Sequence, residues 1–214
     1  MERTILIQHG NLTNTVTTPE TEINKEGCQS LLELSEKICK KDKYCGLAMN
    51  QIPLELIKQQ TEYRGHHRII FLRPEGGKSS ITKDTLIVNP QIEIKTRDTY
   101  FWLEGCGSVD FGQTLMLVAR PANFKLKGLF YVSGMDIPEH KEVDSENLNR
   151  FNAGQHEINH LDGKTALDFP DRLFPFNDEK CLNIINAVKQ VFLPKGKTGM
   201  YFSVNGRVQR FDFK

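Results

Sequence analysis

The segment GQHEINHLDG, residues 154–163, places two histidines four positions apart, with a glutamate directly after the first. On an α-helix, residues i and i+4 lie on one face, so His156 and His160 can present two imidazoles to a single ion. Glu157 lies beside them, where its carboxylate could act on a water molecule. This HExxH pattern predicts a metal-binding helix.

The third protein ligand of such a site must come from elsewhere in the chain. Two imidazoles do not complete a catalytic zinc-type site, which needs a third ligand and an open position. The extended protease pattern HExxHxxGxxH would require a histidine where this chain has Ala166, so that class is disfavoured. Upstream, Cys106 lies between two glycines in WLEGCGSVD. The glycines allow another group to approach closely, which makes Cys106 a candidate ligand, with a small buried core residue as the alternative.

The remaining sequence predicts an α+β fold. Apolar residues at helical spacing predict a helix over Asn24–Asp42, and further helices are expected from about Asp144 to Leu161 and from Asp178 to Phe192. Between Arg68 and Val132, short β-branched and aromatic runs indicate an antiparallel sheet: RIIFL, TLIVNP, QIEIK, LMLVAR and NFKLKGLFYV. Near the C-terminus, FSVNGRVQRF has an Asn-Gly turn between apolar strands, which predicts a β-hairpin.

Composition excludes several other classes of protein. The chain has 214 residues, 38% hydrophobic and 26% charged, which is typical of a soluble globular domain with a sizeable core. Its net charge of +1, without a long run of like charges, does not predict binding to nucleic acid or to a membrane. The start of the chain lacks a signal-peptide pattern. We therefore expect a cytoplasmic protein whose five irregularly spaced cysteines are reduced thiols.

Three motifs in order carry a resemblance to a known family. They are GLAMNQ at 46–51, EGCGS at 104–108 and QHEINHLDG at 155–163. The chain resembles peptide deformylases, which have a Gly-rich loop ending in Gln, then EGCxS, then QHExDHLxG on a helix. The segment ARPANFKLKGLFYVSGMD also resembles the Arg-Pro strand and hairpin of that family. The resemblance covers a catalytic domain over residues 1–170, and we expect residues 171–214 to form a C-terminal extension, a helix plus a β-hairpin, packed on the same domain.

The resemblance implies a fold of antiparallel sheets around the HExxH helix and a metal-dependent reaction. Cys106, His156 and His160 would hold one divalent ion, Fe²⁺ natively, with Zn²⁺, Ni²⁺ or Co²⁺ able to substitute. Glu157 would act as the general base, while the Gln51 side chain and the Gly107 backbone N–H would stabilise an oxyanion.

The substrate implied is an N-formyl-methionyl peptide of a nascent protein, deformylated with release of formate. Ribosome-associated nascent chains are the partner class, and a monomer is favoured over an oligomer. The substrate-binding residues carried over are six: Tyr44, Cys45, Gly46, Glu104, Asn152 and Ala153. For Glu104 we favour a second possibility, that its carboxylate orients a neighbouring loop or side chain.

Several positions depart from the family pattern. Tyr44 stands where a glycine is usual, which would narrow access to the site, and Gly107 stands where a leucine is usual, which would loosen the loop beside the metal. Asn159 replaces an aspartate that pairs with the arginine of the Arg-Pro motif, here Arg120. We therefore expect Arg120 to find a substitute acid, with Asp136 or Asp162 as candidates, or to turn towards solvent.

Other functions stay open at this level. A divergent amidase could act on another N-acyl substrate, or a weakly active homologue could bind formylated or nascent peptides. A different metalloprotease or a purely structural ion is a further alternative. Glu157 and Gln51 argue against a structural ion, which needs neither a base nor an oxyanion donor.

Overall fold

The computed structural model describes residues 6–7, 11–42, 44–74, 81–95, 99–109, 114–121, 123–145, 153–175, 190, 199–204 and 207–212. Within these residues the chain forms three α-helices and ten β-strands that pair in two sheets. The predicted α+β class is confirmed. The helix predicted over Asp178–Phe192 lies almost entirely outside the described residues.

The first helix, α1, runs from Lys25 to Asp42, as its periodicity predicts. The Asn24 side chain caps it, because Oδ1 accepts the Gly27 N–H at 2.7 Å. One face of α1 is buried, including Leu31, Leu34 and Ile38. A second, shorter helix, α2, covers Leu54–Gln60 and packs beside α1. No helix among the described residues is long and apolar enough to cross a membrane.

The first sheet has the strand order β1-β2-β3-β6-β7, with all neighbours antiparallel. Its strands are β1 (Gly46–Ala48), β2 (Ile69–Leu72), β3 (Thr85–Ile94), β6 (Phe124–Val132) and β7 (Glu139–Asp144). The runs TLIVNP and QIEIK, predicted as separate strands, form the single strand β3. The register shifts between Val88 and Gln91, where Asn89 has a positive φ of 50°. This irregularity explains why the sequence suggested a break.

The helix expected from about Asp144 starts later. Asp144 belongs to β7 and pairs with Lys125 of β6, so the prediction of helix at Asp144 is wrong. The third helix, α3, covers Ala153–Leu161 and contains the whole HExxH segment. Hydrogen bonding to β6 keeps residues 139–144 extended.

The first sheet is covered on both faces. Along β2, Ile69 and Phe71 point into a core that contains α1, whereas Ile70 and Leu72 point into a core that contains α3. Because alternate residues of a strand face opposite sides, burial on both sides requires the uninterrupted apolar run IIFL. The order of layers is therefore α1, first sheet, α3.

The second sheet has the order β10-β9-β4-β5-β8. Its strands are β4 (Thr99–Gly105), β5 (Thr114–Pro121), β8 (Pro170–Pro175), β9 (Gly199–Val204) and β10 (Arg207–Asp212). The segment predicted as a hairpin supplies β9 and β10, which pair antiparallel, and β9 lies parallel to β4. On β5, Met116, Val118 and Arg120 alternate and are all buried, so this face of the second sheet is turned inwards.

Helix α3 lies between the two sheets and contacts each with a different kind of side chain. Its apolar residues Ala153, Ile158 and Leu161 pack in the core shared with the first sheet. Its polar residues His156, Asn159 and His160 make side-chain contacts with β4, β5 and the turn after β4. The amphipathic helix thus brings two imidazoles to a buried interface between sheets.

Asn50 joins three parts of this arrangement. It belongs to a single turn of 3-10 helix, Met49–Gln51, that follows β1. The Asn50 side-chain amide donates to the Thr13 carbonyl at 2.9 Å and also to the His160 carbonyl. The side chain is 1% exposed, so these bonds form away from water. Asn50 therefore ties the N-terminal segment and the loop after β1 to the end of α3.

Replacing Asn50 with Ala should lower the free energy of unfolding by about 1–3 kcal/mol, because the buried His160 carbonyl and the Thr13 carbonyl lose their donor. Urea unfolding of the metal-free protein measures this change, with exposed Gln59→Ala as the control. A loss no larger than that of the control would contradict the structural role of Asn50.

Candidate functional site

The structure brings the three predicted metal ligands together. His160 Nε2 lies 3.3 Å from Cys106 Sγ and 3.0 Å from His156 Nε2. The ligand atoms of all three residues lie within 4.8 Å of one another. Cys106 follows β4 and is fully buried, whereas both histidines come from α3. One thiol and two imidazoles converging in this way form a donor set suited to a divalent transition metal.

Both imidazoles are oriented by oxygen atoms on their far sides. His156 Nδ1 lies 2.8 Å from Glu104 Oε2, and His160 Nδ1 lies 2.8 Å from the Lys164 carbonyl oxygen. Since those oxygens can only accept, Nδ1 is the protonated nitrogen in each ring. Nε2 is then the atom of each ring that is turned towards the other two ligand atoms and available to a metal. Metal-binding histidines are commonly oriented in this way.

Glu104 is the buried carboxylate that joins the centre to the second sheet. Arg120 binds it with two hydrogen bonds, from Nε to Oε1 at 2.7 Å and from Nη2 to Oε2 at 2.8 Å. Arg120 Nη1 also donates to Asn159 Oδ1. With both oxygens occupied by Arg120 and His156, the Glu104 carboxylate orients a neighbouring side chain, the alternative favoured from the sequence. Its place among the substrate-binding residues stays a prediction.

The expected partners of Arg120 are wrong. Asp162 pairs with Arg68 at 2.6 Å, and Asp136 pairs with Lys25 at 2.6 Å. Arg120 stays buried, with a side chain 5% exposed, because the Glu104 carboxylate supplies the negative charge that pairs with it. Although burial alone would raise it, Arg120 and His156 lower the pKa of Glu104 to about 2.

The charge state of the donor set follows from the same contacts. Burial by itself would raise the pKa of the Cys106 thiol, but hydrogen bonds and charge from His156 and His160 hold it well below its usual value. Burial would likewise lower the pKa of His156, yet Cys106 and Glu104 raise it. The thiol therefore has thiolate character, the form that binds metals. The donor set fits a cation both in geometry and in charge.

Glu157 is buried beside this centre. It is 4% exposed, and its Oε2 has no hydrogen-bond partner within the described residues. Burial raises the pKa of Glu157 above that of an ordinary glutamate. A Cβ on Gly46 would lie 2.7 Å from Glu157 Oε1. A glycine at position 46 therefore leaves room for this carboxylate in its present position. An orphaned buried carboxylate beside a metal-binding group is suited to accepting a proton.

Gln51 lies close to the EGCGS segment. Its Nε2 donates to Ser108 Oγ at 2.9 Å, and its Oε1 accepts the Ala48 N–H at 2.7 Å. The backbone N–H of Ile7 donates to the Gln51 carbonyl at 2.8 Å. These bonds hold the amide in one orientation with the nitrogen towards the segment that carries Cys106.

The other predicted substrate-binding residues fall in different environments. Tyr44 is half-buried and its ring lies beside Gly107, whereas Cys45 is exposed. Ala153 lies in the core shared with the first sheet, which gives it a packing role. Asn152 lies outside the described residues.

Three contributors were not found from the sequence. Asn50 lies within the GLAMNQ motif, but its residue type did not indicate that its amide holds the end of α3. Ser108 is part of EGCGS, so the motif itself could have signalled it. The Lys164 carbonyl that orients His160 belongs to the backbone and leaves no trace in residue type.

Comparison with known proteins gives a consistent result. The polypeptide deformylase family model matches residues 4–173. No match is found among curated proteins. A class I type b peptide deformylase from Acinetobacter baumannii is similar in structure, with 18% identity, a TM-score of 0.59, and coverage of 78% of this chain and 99% of that one.

Two further solved structures are similar to the chain. The Acinetobacter baumannii protein with Met-Ala-Ser bound has a TM-score of 0.57 at 18% identity, and covers 78% of this chain and 99% of its own. A peptide deformylase from Synechococcus elongatus in complex with actinonin has a TM-score of 0.58 at 17% identity, with coverage of 94% and 88%. At these identities the likeness is one of fold.

Replacing Arg120 with Leu should destabilise the protein by about 3–5 kcal/mol, because Glu104 is left as an uncompensated buried charge. Adding Glu104→Leu should recover part of that loss, since the pair is then removed together. A double-mutant cycle by urea unfolding of the metal-free protein measures the coupling. Additive effects of the two substitutions would show that the pair does not interact as described.

Proposed function

Because the chain belongs to the polypeptide deformylase family, we propose that it is a metal-dependent hydrolase that removes the formyl group from N-formyl-methionyl peptides. The products are formate and a peptide with a free amino terminus. The observation that carries this proposal is the buried Glu157 carboxylate next to the Cys106, His156 and His160 donor set; its Oε2 has no hydrogen-bond partner in the described part of the chain.

The proposed metal ligands are Cys106 Sγ and the Nε2 atoms of His156 and His160. The native ion in this proposal is Fe²⁺. Zn²⁺, Ni²⁺ or Co²⁺ could take its place, because each binds one thiolate and two imidazoles. Such an ion supplies Lewis acidity, which polarises a carbonyl and makes water a better nucleophile near neutral pH. Three protein ligands would leave one coordination position open for water or substrate, whereas structural ions are usually held by four protein ligands.

Glu157 serves as the proton carrier in this proposal. Its carboxylate accepts a proton from the attacking water and later delivers that proton to the leaving amine. The raised pKa that burial gives Glu157 brings it closer to neutral pH, where a group can both accept and release a proton. Gly46 keeps the space that this carboxylate occupies.

Gln51 and Gly107 are the proposed oxyanion donors. As the formyl carbon becomes tetrahedral, its oxygen gains negative charge that needs hydrogen-bond donors held in place beforehand. The Gln51 amide nitrogen carries two hydrogens, so it can donate to Ser108 and to a second acceptor. The Gly107 N–H lies on the residue directly after Cys106. Glu104, Arg120 and Asn159 orient His156 and do not touch substrate in this scheme.

The proposed substrate is a short formylated peptide. Relatives of the same fold have been solved with Met-Ala-Ser and with actinonin bound, which supports a peptide-like ligand. Tyr44 and Cys45 directly precede β1 and Gly46 begins it; these three residues are the proposed contacts for the peptide. The proposed setting is the cytoplasm, with chains emerging from the ribosome as substrates and a monomeric working form.

We propose that residues 1–170 form the catalytic domain and residues 171–214 an extension packed on it. The family match ends at residue 173, close to this boundary. Within the extension, β9 pairs with β4, the strand that leads into Cys106. That pairing supports a single folded unit.

The decisive experiment measures formate release from formyl-Met-Ala-Ser by protein loaded with iron under anaerobic conditions. We expect formate at a rate above that of metal-free protein. Stoichiometric metal without formate would favour the alternative, a deformylase-like amidase for another N-acyl substrate or a module that binds formylated or nascent peptides. Acetyl-Met-Ala-Ser in the same assay separates the amidase from the binding module.

Replacing Glu157 with Gln should lower kcat by about 100- to 10,000-fold, because the amide fits the same space but cannot accept the proton. Metal content should stay unchanged, since Glu157 is not among the proposed ligands. Exposed Glu62→Gln is the matched control. Turnover by Glu157→Gln near the wild-type rate would remove Glu157 from the role of base.

Replacing Cys106 with Ser should weaken metal binding by more than the roughly 10- to 100-fold typical of losing a group that orients a ligand. A neutral hydroxyl is a poor substitute for a thiolate at a borderline-soft ion. Competition with a coloured chelator measures the affinity, and Cys45→Ser controls for loss of a thiol. Equal affinities in the two variants would exclude Cys106 as a ligand.

A further inference from the structure

The space beside Gly107 is filled by side chains from two other parts of the chain. A Cβ built on Gly107 would lie 2.9 Å from Tyr44 Cζ, 3.0 Å from Tyr44 Cε1 and 2.9 Å from Leu6 Cδ1. Real Cβ atoms essentially never approach another heavy atom more closely than 3.0 Å, so a side chain here would require its neighbours to move. A side chain at position 107 and the ring of Tyr44 therefore exclude one another in this structure.

Backbone conformation does not explain the glycine. The glycines with positive φ among the described residues are Gly128, Gly134 and Gly163, and Gly107 is not one of them. An L-residue could adopt the backbone of Gly107 without strain. Space, and not a special turn, requires glycine at this position.

A backbone hydrogen bond and core packing hold Tyr44 in place beside Gly107. Its backbone N–H donates to the Cys39 carbonyl at 3.1 Å, which fixes it just past the end of α1. Its half-buried side chain packs against the core that α1 shares with the first sheet. Leu6, on the other side of Gly107, is 2% exposed, and the next residue is bonded to Gln51.

We propose that Tyr44 is a positioning residue for the turn Cys106–Val109. Its ring takes the place of a side chain at position 107 and restricts the backbone there, so that the Gly107 N–H keeps one direction. The turn is closed by a bond from the Val109 N–H to the Cys106 carbonyl at 2.9 Å. The catalytic consequence rests on the proposed function, in which that N–H is an oxyanion donor.

The contact between Tyr44 and Gly107 joins two positions that each depart from the family pattern. A glycine beside a metal ligand would by itself loosen the loop, since glycine has the largest backbone freedom. A tyrosine at position 44 would by itself collide with a bulky residue at position 107. Together they fill one volume, so each substitution is tolerated because of the other.

The test is a cycle of Tyr44→Gly, Gly107→Leu and the double variant, with two measurements on metal-loaded protein. The first is kcat and KM for formate release. The second is deuterium uptake of peptides covering Glu104–Val109, which needs no activity. Tyr44→Phe keeps the ring and serves as the conservative variant. Leu56→Ala removes another half-buried side chain from the same core and controls for general loosening.

Tyr44→Gly should lower kcat about 10- to 100-fold, with a smaller change in KM, because a donor that is free to move is partly lost from the transition state. It should also speed deuterium uptake in Glu104–Val109. The double variant should recover most of both losses, since the leucine refills the vacated volume. Tyr44→Phe should stay far closer to wild type than Tyr44→Gly, and Leu56→Ala should leave uptake in this segment unchanged.

The proposal is overturned if the double variant recovers neither kcat nor slow uptake, or if Tyr44→Gly alters KM alone. If the wild-type protein releases no formate, the proposed function fails, and uptake across the same cycle still decides whether Tyr44 holds the turn. Should Tyr44→Gly not fold, Gly107→Ala in the intact chain replaces it, because its methyl group must displace the ring. Unchanged uptake in that variant also overturns the proposal.

Discussion

The Glu104 carboxylate links the second sheet to α3, and the geometry of the candidate site depends on it. A buried charge is costly unless it is paired and hydrogen-bonded. Here the Arg120 guanidinium binds both oxygens, and the His156 imidazole occupies the remaining direction. Arg120 reaches on to Asn159, one turn along α3. The helix can therefore neither rotate nor slide along the sheet without breaking a charged contact, and His156 Nε2 keeps its direction towards Cys106.

The position of α3 between two sheets makes the site possible. The apolar residues of the helix are used against the first sheet, so its polar residues must face the second. Cys106 follows β4 of the second sheet, while Gln51 and Gly46 belong to the first-sheet side. The donor set and Glu157 thus lie where the layers meet, shielded from water, and burial accounts for the raised pKa of Glu157. Asn50 closes the far end by holding the His160 carbonyl.

The departures from the family pattern are matched by contacts within this chain. Loss of the aspartate at position 159 does not leave Arg120 without an acid, because Glu104 already binds it in two places. The side chain missing from Gly107 is matched by the ring of Tyr44 in the same volume. A comparison of motifs treats each position separately, whereas packing and charge balance act on pairs. Divergence at single positions therefore says little about whether the site is intact.

The sequence alone determined the α+β class, the extent of α1, the helical HExxH face and the candidate residues Cys106, His156, His160 and Glu157. These depend on local periodicity and on motifs of a few residues, which can be recognised without knowing the fold. Tertiary structure alone decided the partner of Arg120, the continuity of β3, the pairing of Asp144 in β7 and the contact between Tyr44 and Gly107. Each of these depends on strand register or on packing between residues far apart in the chain. Residues separated by 16 to 63 positions become neighbours only after the sheets and α3 have packed.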